Sequence, residues 1–445
     1  MKNKSTNSSR FERHLRLAGE GLWIFLGQVA VVVGALVGIR VLTGLMDPIV
    51  YGQLALGMTI AAFVQSVIFG PLSNGITRFY AAACEDNTVI YYFTAVRKLM
   101  VFLTVGVILS AFVLCIGMMF TGLSQWIGMG IAVISFAIFS GYNSIFNGIQ
   151  NASRQRAVVA LHQGLASWMR FLLASVLILW VGVTSTVAMT GYVLAMLIVL
   201  VSQYGFLRRI MHLEHGSGTI TNTKTKEWLN RIFAYSWPFA SWGVLDWLNS
   251  ASDRWALNAF ASTREVGLYV AIFQLGYYPF IILAGMGIQL LSPIFFQHAS
   301  DASDPNGVFK IYVLGWKITL FAIFFTLMTT VLSALFHKAI FSLLVAKEYA
   351  VVSSLLPGMV LAGGLFISAQ FCTIALHAQQ TTKFLIIPNN VSCLMGLSLT
   401  IIGAAWYGVT GVVVASVMYS VIRLLWIVFI FRKQCKNIAW RTSLG

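Results

Sequence analysis

The segment DWLNSASDRW, from Asp246 to Trp255, places three charged residues inside an otherwise apolar stretch. Asp246, Ser250 and Asp253 recur at intervals of three or four residues, which puts them on one face of a helix. A single polar stripe on an apolar helix is typical of a transport path through a membrane. The two carboxylates could instead neutralise arginines on neighbouring helices, and the sequence leaves both interpretations open.

Basic residues form a second set that could do chemistry, because five of the 29 lysines and arginines lie within apolar runs. A charged side chain at the bilayer centre costs roughly 2.5–3.5 kcal/mol, so these residues should face protein or a water-filled cavity. Guanidinium groups bind phosphate oxygens bidentately and stay ionised when desolvated. Structural ion pairs and snorkelling to the headgroups are the alternatives. We predict a cationic cavity for an anionic group, with these candidates: Arg40, Arg170, Arg254, Lys317 and Arg423.

The elements that position these residues are membrane-spanning helices. Of the 445 residues, 58% are hydrophobic and 9% are charged, whereas soluble domains have about 45–50% apolar and about 25% charged residues. Continuous apolar runs recur along the whole chain, and about 20 such residues cross the hydrocarbon core. The sequence therefore predicts an all-α polytopic membrane protein.

Twelve runs are found, the last two near 384–406 and 408–431. They predict twelve transmembrane helices in two six-helix lobes. LTGLMDPIVYGQLALG in the first half resembles LNAFASTREVGLYVAI in the second. A duplicated half with an even number of helices inserts in the same orientation, which predicts a pseudo-two-fold axis along the membrane normal. A polar, basic stretch separates the sixth and seventh runs. The predicted organisation is an N-terminal tail (1–20), an N-lobe (21–206), a linker (207–231), a C-lobe (232–431) and a C-terminal tail (432–445).

The distribution of basic residues predicts the orientation. With the N-terminus in the cytoplasm, 21 lysines and arginines fall in cytoplasmic segments and 3 fall outside. Cytoplasmic loops carry such an excess, so both tails are expected in the cytoplasm. The same bias accounts for the net charge of +16, and we expect no nucleic-acid partner.

Two segments resemble a known family. MDPIVYGQLALG…FGPLSNGITRFYAA is similar to the first-to-second-helix signature of polysaccharide-repeat exporters, and SDRWALNAFASTREVGLYVAIFQLGYYP to their seventh-to-eighth-helix signature. The chain thus resembles the O-antigen and exopolysaccharide repeat-unit flippases of the multidrug/oligosaccharidyl-lipid/polysaccharide exporter superfamily. The matching residues include Arg78, Asp253, Arg254, Gly267 and Tyr269.

The resemblance implies a bacterial inner-membrane transporter that flips undecaprenyl-pyrophosphate-linked oligosaccharide by alternating access, for polysaccharide or O-antigen biosynthesis. Its partners would be this anionic lipid-linked oligosaccharide and the membrane lipids. In that role Arg78 joins the five cations of the apolar runs in holding the pyrophosphate. Asp246 and Asp253 are the candidates for a coupling H⁺ or Na⁺.

Two other functions are alternatives. A cation-coupled exporter of drugs or other small molecules from the same superfamily would share the fold, but the surplus of buried cations argues against it. A membrane glycosyltransferase or polymerase would need clustered carboxylates at the membrane edge or a large periplasmic loop, and the sequence has neither. With five cysteines and no CxxC pair, a metal site is not expected. We expect no enzyme, no catalytic residue and no cofactor.

Overall fold

The computed structural model describes residues 3–213, 222–299, 305–378 and 383–443. Every regular element among these residues is a helix, and they contain no strand. The all-α class predicted from the apolar runs is therefore confirmed. The predicted linker is described only in part, because 214–221 lies outside the described residues.

The first seven α-helices are α1 (Asn3–Leu45), α2 (Pro48–Val64), α3 (Gly70–Glu85), α4 (Val89–Phe120), α5 (Ile127–Ala152), α6 (Arg156–Val181) and α7 (Ser185–Leu213). A π-helical turn at Gln65–Phe69 joins α2 to α3, so that they form one continuous span. The backbone N–H of Gly70 bonds to the carbonyl of Gln65, and the next residue, Pro71, has no N–H to continue an α-helical ladder. The change of helix geometry therefore falls at the Gly–Pro pair.

The remaining α-helices are α8 (Asn222–Phe260), α9 (Thr263–Gly276), α10 (Tyr278–Ala299), α11 (Pro305–Leu344), α12 (Leu356–Ala378) and α13 (Lys383–Ser443). A 3₁₀ segment at Lys347–Leu355 leads into α12. Helix α13 is broken at Gly408, whose φ of 54° and ψ of −135° are non-helical. The break lies between the last two apolar runs, as the sequence predicts.

A carboxylate stabilises the break in α13. Glu265, in the first turn of α9, accepts a hydrogen bond of 2.7 Å from the backbone N–H of Val409. This N–H belongs to the first turn after the break, where a helix has unsatisfied donors and favours negative charge. Gly408 also lies against the Glu265 carboxylate, and a side chain there would overlap it.

Ten segments of the described chain are long and apolar enough to cross a membrane. The last of them, Ile387–Gln434, contains the break at Gly408 and therefore comprises two helices. Helix α8 is not among the ten, because its polar and charged residues lower its mean hydropathy. At 1.5 Å per residue its 39 residues are nevertheless more than long enough to span the hydrocarbon core. The protein thus has the twelve transmembrane helices that the sequence predicts.

The chain divides into two compact units, and the first comprises Met1–Met46 and Leu54–Ser250. In this unit α6 packs against α1 and α7, and α5 packs against α3 and α7. The first part of α8 belongs to it as well. The indole N–H of Trp247 donates to the carbonyl of Thr59 at 2.7 Å, and Gly243 lies against the backbone of Ser66 in the π-helical turn. Small residues permit such close crossings of helices in membranes.

The second unit comprises Asp47–Gln53 and Ala251–Gly445. Its central helix is α12, which packs against α9, α10, α11 and α13. The first turn of α2 crosses α9 at a pair of glycines. A methyl group on Gly52 would overlap the carbonyl of Thr263, and one on Gly267 would overlap the carbonyl of Pro48. The boundaries predicted for the two lobes stay a prediction.

Candidate binding site in the membrane-spanning helices

The charges of the DWLNSASDRW segment lie in different surroundings. Asp246 belongs to the first unit and is exposed. Asp253 and Arg254 belong to the second unit, and their side chains are 13% and 15% exposed. The stripe predicted from the helical spacing therefore runs from an exposed carboxylate to a largely buried ion pair.

Asp253 is held by two groups of its own unit. One carboxylate oxygen, Oδ2, accepts a hydrogen bond from the Tyr269 hydroxyl of α9 at 2.5 Å. The other, Oδ1, accepts the backbone N–H of Arg254 at 2.7 Å and lies 3.5 Å from an Nη atom of that residue. The structural interpretation of Asp253 as the partner of an arginine thus has a geometric basis, although its partner is the next residue in the chain.

Arg254 also contacts an aromatic ring. Its guanidinium carbon lies 4.9 Å from the ring centroid of Phe273, one helical turn after Tyr269 on α9. A cation over the face of a ring is attracted by the ring quadrupole, more strongly where water is excluded. The ring therefore helps to keep a charged guanidinium group in a partly buried position.

Arg423 on α13 has a closely similar environment. Its guanidinium carbon lies 4.7 Å from the ring centroid of Phe366 on α12, and an Nη atom donates to the Tyr419 hydroxyl at 2.9 Å. Its Nε is buried and has no hydrogen-bond partner. Among the described residues Arg423 has no carboxylate partner, so it brings an uncompensated positive charge.

Three rings connect the two arginines, and we call Phe273, Tyr277 and Phe366 the aromatic row. Phe273 and Tyr277 are stacked, with ring centroids 5.1 Å apart and an interplanar angle of 14°. Tyr277 and Phe366 follow at 5.8 Å and 41°. All three rings and both arginines are half-buried. The second unit thus presents a partly accessible surface with a cation over each end of a row of rings.

Close helix packing places the aromatic row. Gly276, beside Tyr277, lies against the backbone of α12, where a methyl group would come within 2.8 Å of the Met359 Cβ. One turn further along α12, a methyl group on Gly363 would lie 2.9 Å from the Cα of Tyr277. Because neither glycine has a side chain, α9 and α12 approach closely enough for Phe366 to reach Tyr277.

The other predicted cations are not part of this cluster. Arg170, half-buried on α6, donates from Nε to the carbonyl of Ala166 in its own helix at 3.0 Å. Arg40 and Arg78 are exposed in the first unit, and Lys317 is exposed on α11 in the second. The structure therefore brings Asp253, Arg254 and Arg423 into one cluster and leaves the roles of the others as predictions.

Sequence reasoning missed the aromatic members of the cluster. One signal was available, because Tyr269, Phe273 and Tyr277 recur every four residues and Tyr419 precedes Arg423 by four, which places them on shared helix faces. No sequence pattern marks Phe366. Within the described parts of the chain, no group of three or more histidines, cysteines or acidic residues could hold a metal ion.

Twelve membrane-spanning helices in two lobes define the class of this protein, which has the fold of the MOP superfamily transporters. The lipid II flippase MurJ in an inward closed conformation is similar, with a TM-score of 0.69, 14% identity, and coverage of 96% of this chain and 90% of that one. An inward-facing multidrug resistance transporter of the MATE family has a TM-score of 0.61 and 16% identity over 94% of this chain and 95% of that one. A MOP superfamily transporter from Pyrococcus furiosus, described as having a binding pocket of reverse polarity, has a TM-score of 0.56 and 16% identity over 94% of this chain and 97% of that one.

The family follows from sequence. The model of the family described as polysaccharide biosynthesis protein matches residues 17–299, well over half of the chain. The chain belongs to this polysaccharide biosynthesis family, which confirms the resemblance found in the two signature segments. No curated protein gave a significant sequence match.

Proposed function

We propose that this protein is a flippase that moves undecaprenyl-pyrophosphate-linked oligosaccharide repeat units across the bacterial inner membrane by alternating access. The transported units would serve the biosynthesis of O-antigen or another surface polysaccharide, and both termini would lie in the cytoplasm. Membership of the polysaccharide biosynthesis family and a fold shared with a lipid II flippase support this proposal. The observation that carries it is the aromatic row with Arg254 and Arg423 over its ends.

The charges of the cluster favour an anionic ligand. The cluster contains two guanidinium groups and one carboxylate. This carboxylate, Asp253, already contacts Tyr269 and Arg254. A buried donor without an acceptor costs about 1–3 kcal/mol, and the Nε of Arg423 is such a donor. A pyrophosphate oxygen would supply the missing acceptor and neutralise the charge, since guanidinium groups and phosphates form strong charge-assisted hydrogen bonds.

The rings of the cluster favour a sugar beside the anion. Half-buried aromatic faces offer flat apolar surfaces on which the apolar face of a sugar ring can pack. Pyrophosphate and the first sugar are adjacent in the proposed substrate, so arginines at the ends of a row of rings match both groups. The remaining cations, Arg40, Arg78, Arg170 and Lys317, stay candidates for contacts with the substrate as it moves.

Asp246 and Asp253 are the proposed carriers of a coupling H⁺ or Na⁺. The exposed carboxylate of Asp246 is accessible to an ion. Asp253 would give up its contacts with Tyr269 and Arg254 when it binds the ion. Ion binding at Asp253 would thereby release Arg254, which links the ion to one of the two proposed pyrophosphate ligands.

A cation-coupled multidrug exporter is the second candidate, because multidrug transporters of the MATE family share the fold. It predicts that the protein lowers dye accumulation in a strain without other efflux pumps. The flippase proposal predicts unchanged dye accumulation and a loss of surface polysaccharide when the gene is deleted.

Complementation of that deletion tests the flippase proposal at the level of residues. Arg423→Gln should abolish most surface polysaccharide, because it removes the charge over Phe366. Arg432→Gln is the matched control, since Arg432 lies on the same helix, also over an aromatic ring (Trp316, 5.3 Å), but outside the cluster. Both variants are quantified in the membrane fraction. Normal polysaccharide with Arg423→Gln at normal protein amounts would refute the proposed role of the cluster.

A further inference from the structure

A cavity of about 600 Å³ lies within the first unit, between α4, α5 and α7. This volume falls within the roughly 300–1,000 Å³ typical of ligand sites. The residues that line it are mostly aliphatic and aromatic, and they include Ile90, Arg97, Val101, Tyr142, Val201 and Tyr204. We call this cavity the α4 groove.

The α4 groove opens onto the apolar outer surface of the first unit. Three of its lining residues are well exposed, namely Val101 (54%), Val201 (66%) and Tyr204 (51%). The surface beyond it on α4 is also apolar and exposed, as at Phe102 (71%). In a protein whose helices cross a membrane, such a surface faces lipid tails, so the groove is accessible from the hydrocarbon core.

Helix α4 forms one wall of the groove and gives it a direction relative to the membrane. Its α4 lining extends from Ile90 to Val101, which is about 16 Å of helix. Because successive spans alternate in direction, the first turns of α4 and the last turns of α7 lie on the same side of the membrane. Arg97 lies within the α4 lining, seven residues after Ile90, and its exposed side chain leans toward the N-terminal end of α4, as helical side chains do.

Arg97 is the charged member of the lining, and the groove includes no acidic residue. The hydroxyl of Tyr142, deeper in the groove, is engaged with the Thr104 hydroxyl at 2.7 Å. In the described part of the chain Arg97 has no ion pair. Lys98 follows Arg97 on α4, and Arg209 lies near the end of α7, on the same side of the membrane as the α4 start. The groove is thus mostly apolar, with Arg97 as the positive charge of its lining.

We infer that the α4 groove binds an anionic phospholipid of the surrounding leaflet, with one acyl chain in the groove and the phosphate on Arg97. An acyl chain matches the apolar walls in shape and chemistry, and a guanidinium group at the level of the headgroups binds a phosphate. This site lies on other helices than the aromatic row and does not depend on the flippase proposal.

Lipid binding to the purified protein tests the inference. Native mass spectrometry of the detergent-solubilised protein would count bound phosphatidylglycerol and phosphatidylethanolamine at equal added concentrations. We expect phosphatidylglycerol to be preferred. Arg97→Gln should weaken its binding by roughly tenfold or more, the effect of losing one hydrogen bond to a charged group. Lys98→Gln is the matched control, because this exposed neighbour does not line the groove, and its effect should be smaller.

A second variant tests the groove itself. Val101→Trp adds bulk at an exposed lining position, so it fills the groove without disturbing a buried core, and it should abolish the retained phosphatidylglycerol. Equal binding of both phospholipids to the natural protein would overturn the inference. So would equal losses in Arg97→Gln and Lys98→Gln, unchanged binding in Val101→Trp, or displacement of phosphatidylglycerol by substoichiometric undecaprenyl phosphate, which would identify a prenyl chain as the occupant.

Discussion

The arginines of the two compact units differ in what surrounds them. In the second unit, Arg254 and Arg423 each lie over an aromatic ring, and a row of three rings connects them. In the first unit, Arg170 is bonded to a carbonyl of its own helix, and Arg78 is exposed. Sequence position alone does not separate Arg170 from Arg254 and Arg423, because all three lie within apolar runs. The comparison teaches that neighbouring helices decide the environment of a cation inside an apolar run. The two proposed binding groups lie over aromatic rings of other helices and are only partly buried.

Removing both arginines of the second unit should have the largest effect. A hydrogen bond to a charged group contributes about 1.5–3 kcal/mol, so Arg254→Gln with Arg423→Gln should lower transport more than roughly 100-fold. The pair Arg40→Gln with Arg78→Gln in the first unit should lower it only about threefold, the scale expected of exposed charges. Both are measured as surface polysaccharide at equal membrane amounts. Equal losses of surface polysaccharide in the two double variants would contradict the proposed difference between the arginines of the two units.

Arg170→Ala should have a smaller but measurable effect. Arg170 is half-buried and its Nε is already engaged by Ala166, which leaves its Nη atoms as the donors for a substrate. We expect surface polysaccharide to fall about tenfold, the value of one charged hydrogen bond, while the protein inserts normally. A loss as complete as that of Arg423→Gln would show that the first unit also holds a principal binding group.

Removing one ring of the aromatic row tests whether the rings of the second unit contribute to transport. Phe273→Leu keeps the apolar volume but removes the ring beneath Arg254. Cation–π contacts contribute about 0.5–2 kcal/mol, so transport should fall about fivefold. Phe321→Leu, at an exposed ring on α11 outside the cluster, should leave it unchanged. Unchanged transport in Phe273→Leu would show that the aromatic row contributes only packing.

The two carboxylates of the DWLNSASDRW segment should differ in their contribution to the free energy of unfolding. Asp253→Asn weakens the contacts with Tyr269 and Arg254 and should destabilise the detergent-solubilised protein by about 1–3 kcal/mol, because buried charged partners lose their compensation. Asp246→Asn changes an exposed side chain and should cost less than about 0.5 kcal/mol. Thermal unfolding followed by tryptophan fluorescence ranks the two, and the reverse order would contradict the assigned environments.

Much of the fold follows from the sequence because length and hydropathy dictate where a chain can cross a bilayer. Two apolar runs near 384–406 and 408–431 predict two helices, and the helix breaks at Gly408. The unsatisfied backbone donors after the break explain the contact with Glu265. Helix α8 is the instructive case. Its polar and charged residues keep it out of the segments with the hydropathy of a span, yet the sequence predicts it as the seventh of twelve apolar runs.

The residues of the proposed binding cluster could be predicted only in part. The positions of Asp253, Arg254 and Arg423 were recognisable because charge within an apolar run is costly. Their surroundings were not, because the ring beside Arg423 belongs to α12 and no local pattern connects Phe366 with α9 or α13. Asp253 contacts the adjacent Arg254 and a tyrosine of α9, whereas one of the two interpretations left open by the sequence pairs it with an arginine on a neighbouring helix.

Binding of undecaprenyl pyrophosphate to the purified protein tests the central claim most directly. We predict that the dissociation constant rises more than roughly 100-fold in Arg254→Gln with Arg423→Gln, and stays within about twofold of the natural value in Arg432→Gln. Affinity that is unchanged in the double variant, or that falls equally in the Arg432→Gln control, would contradict the assignment of the pyrophosphate to this cluster.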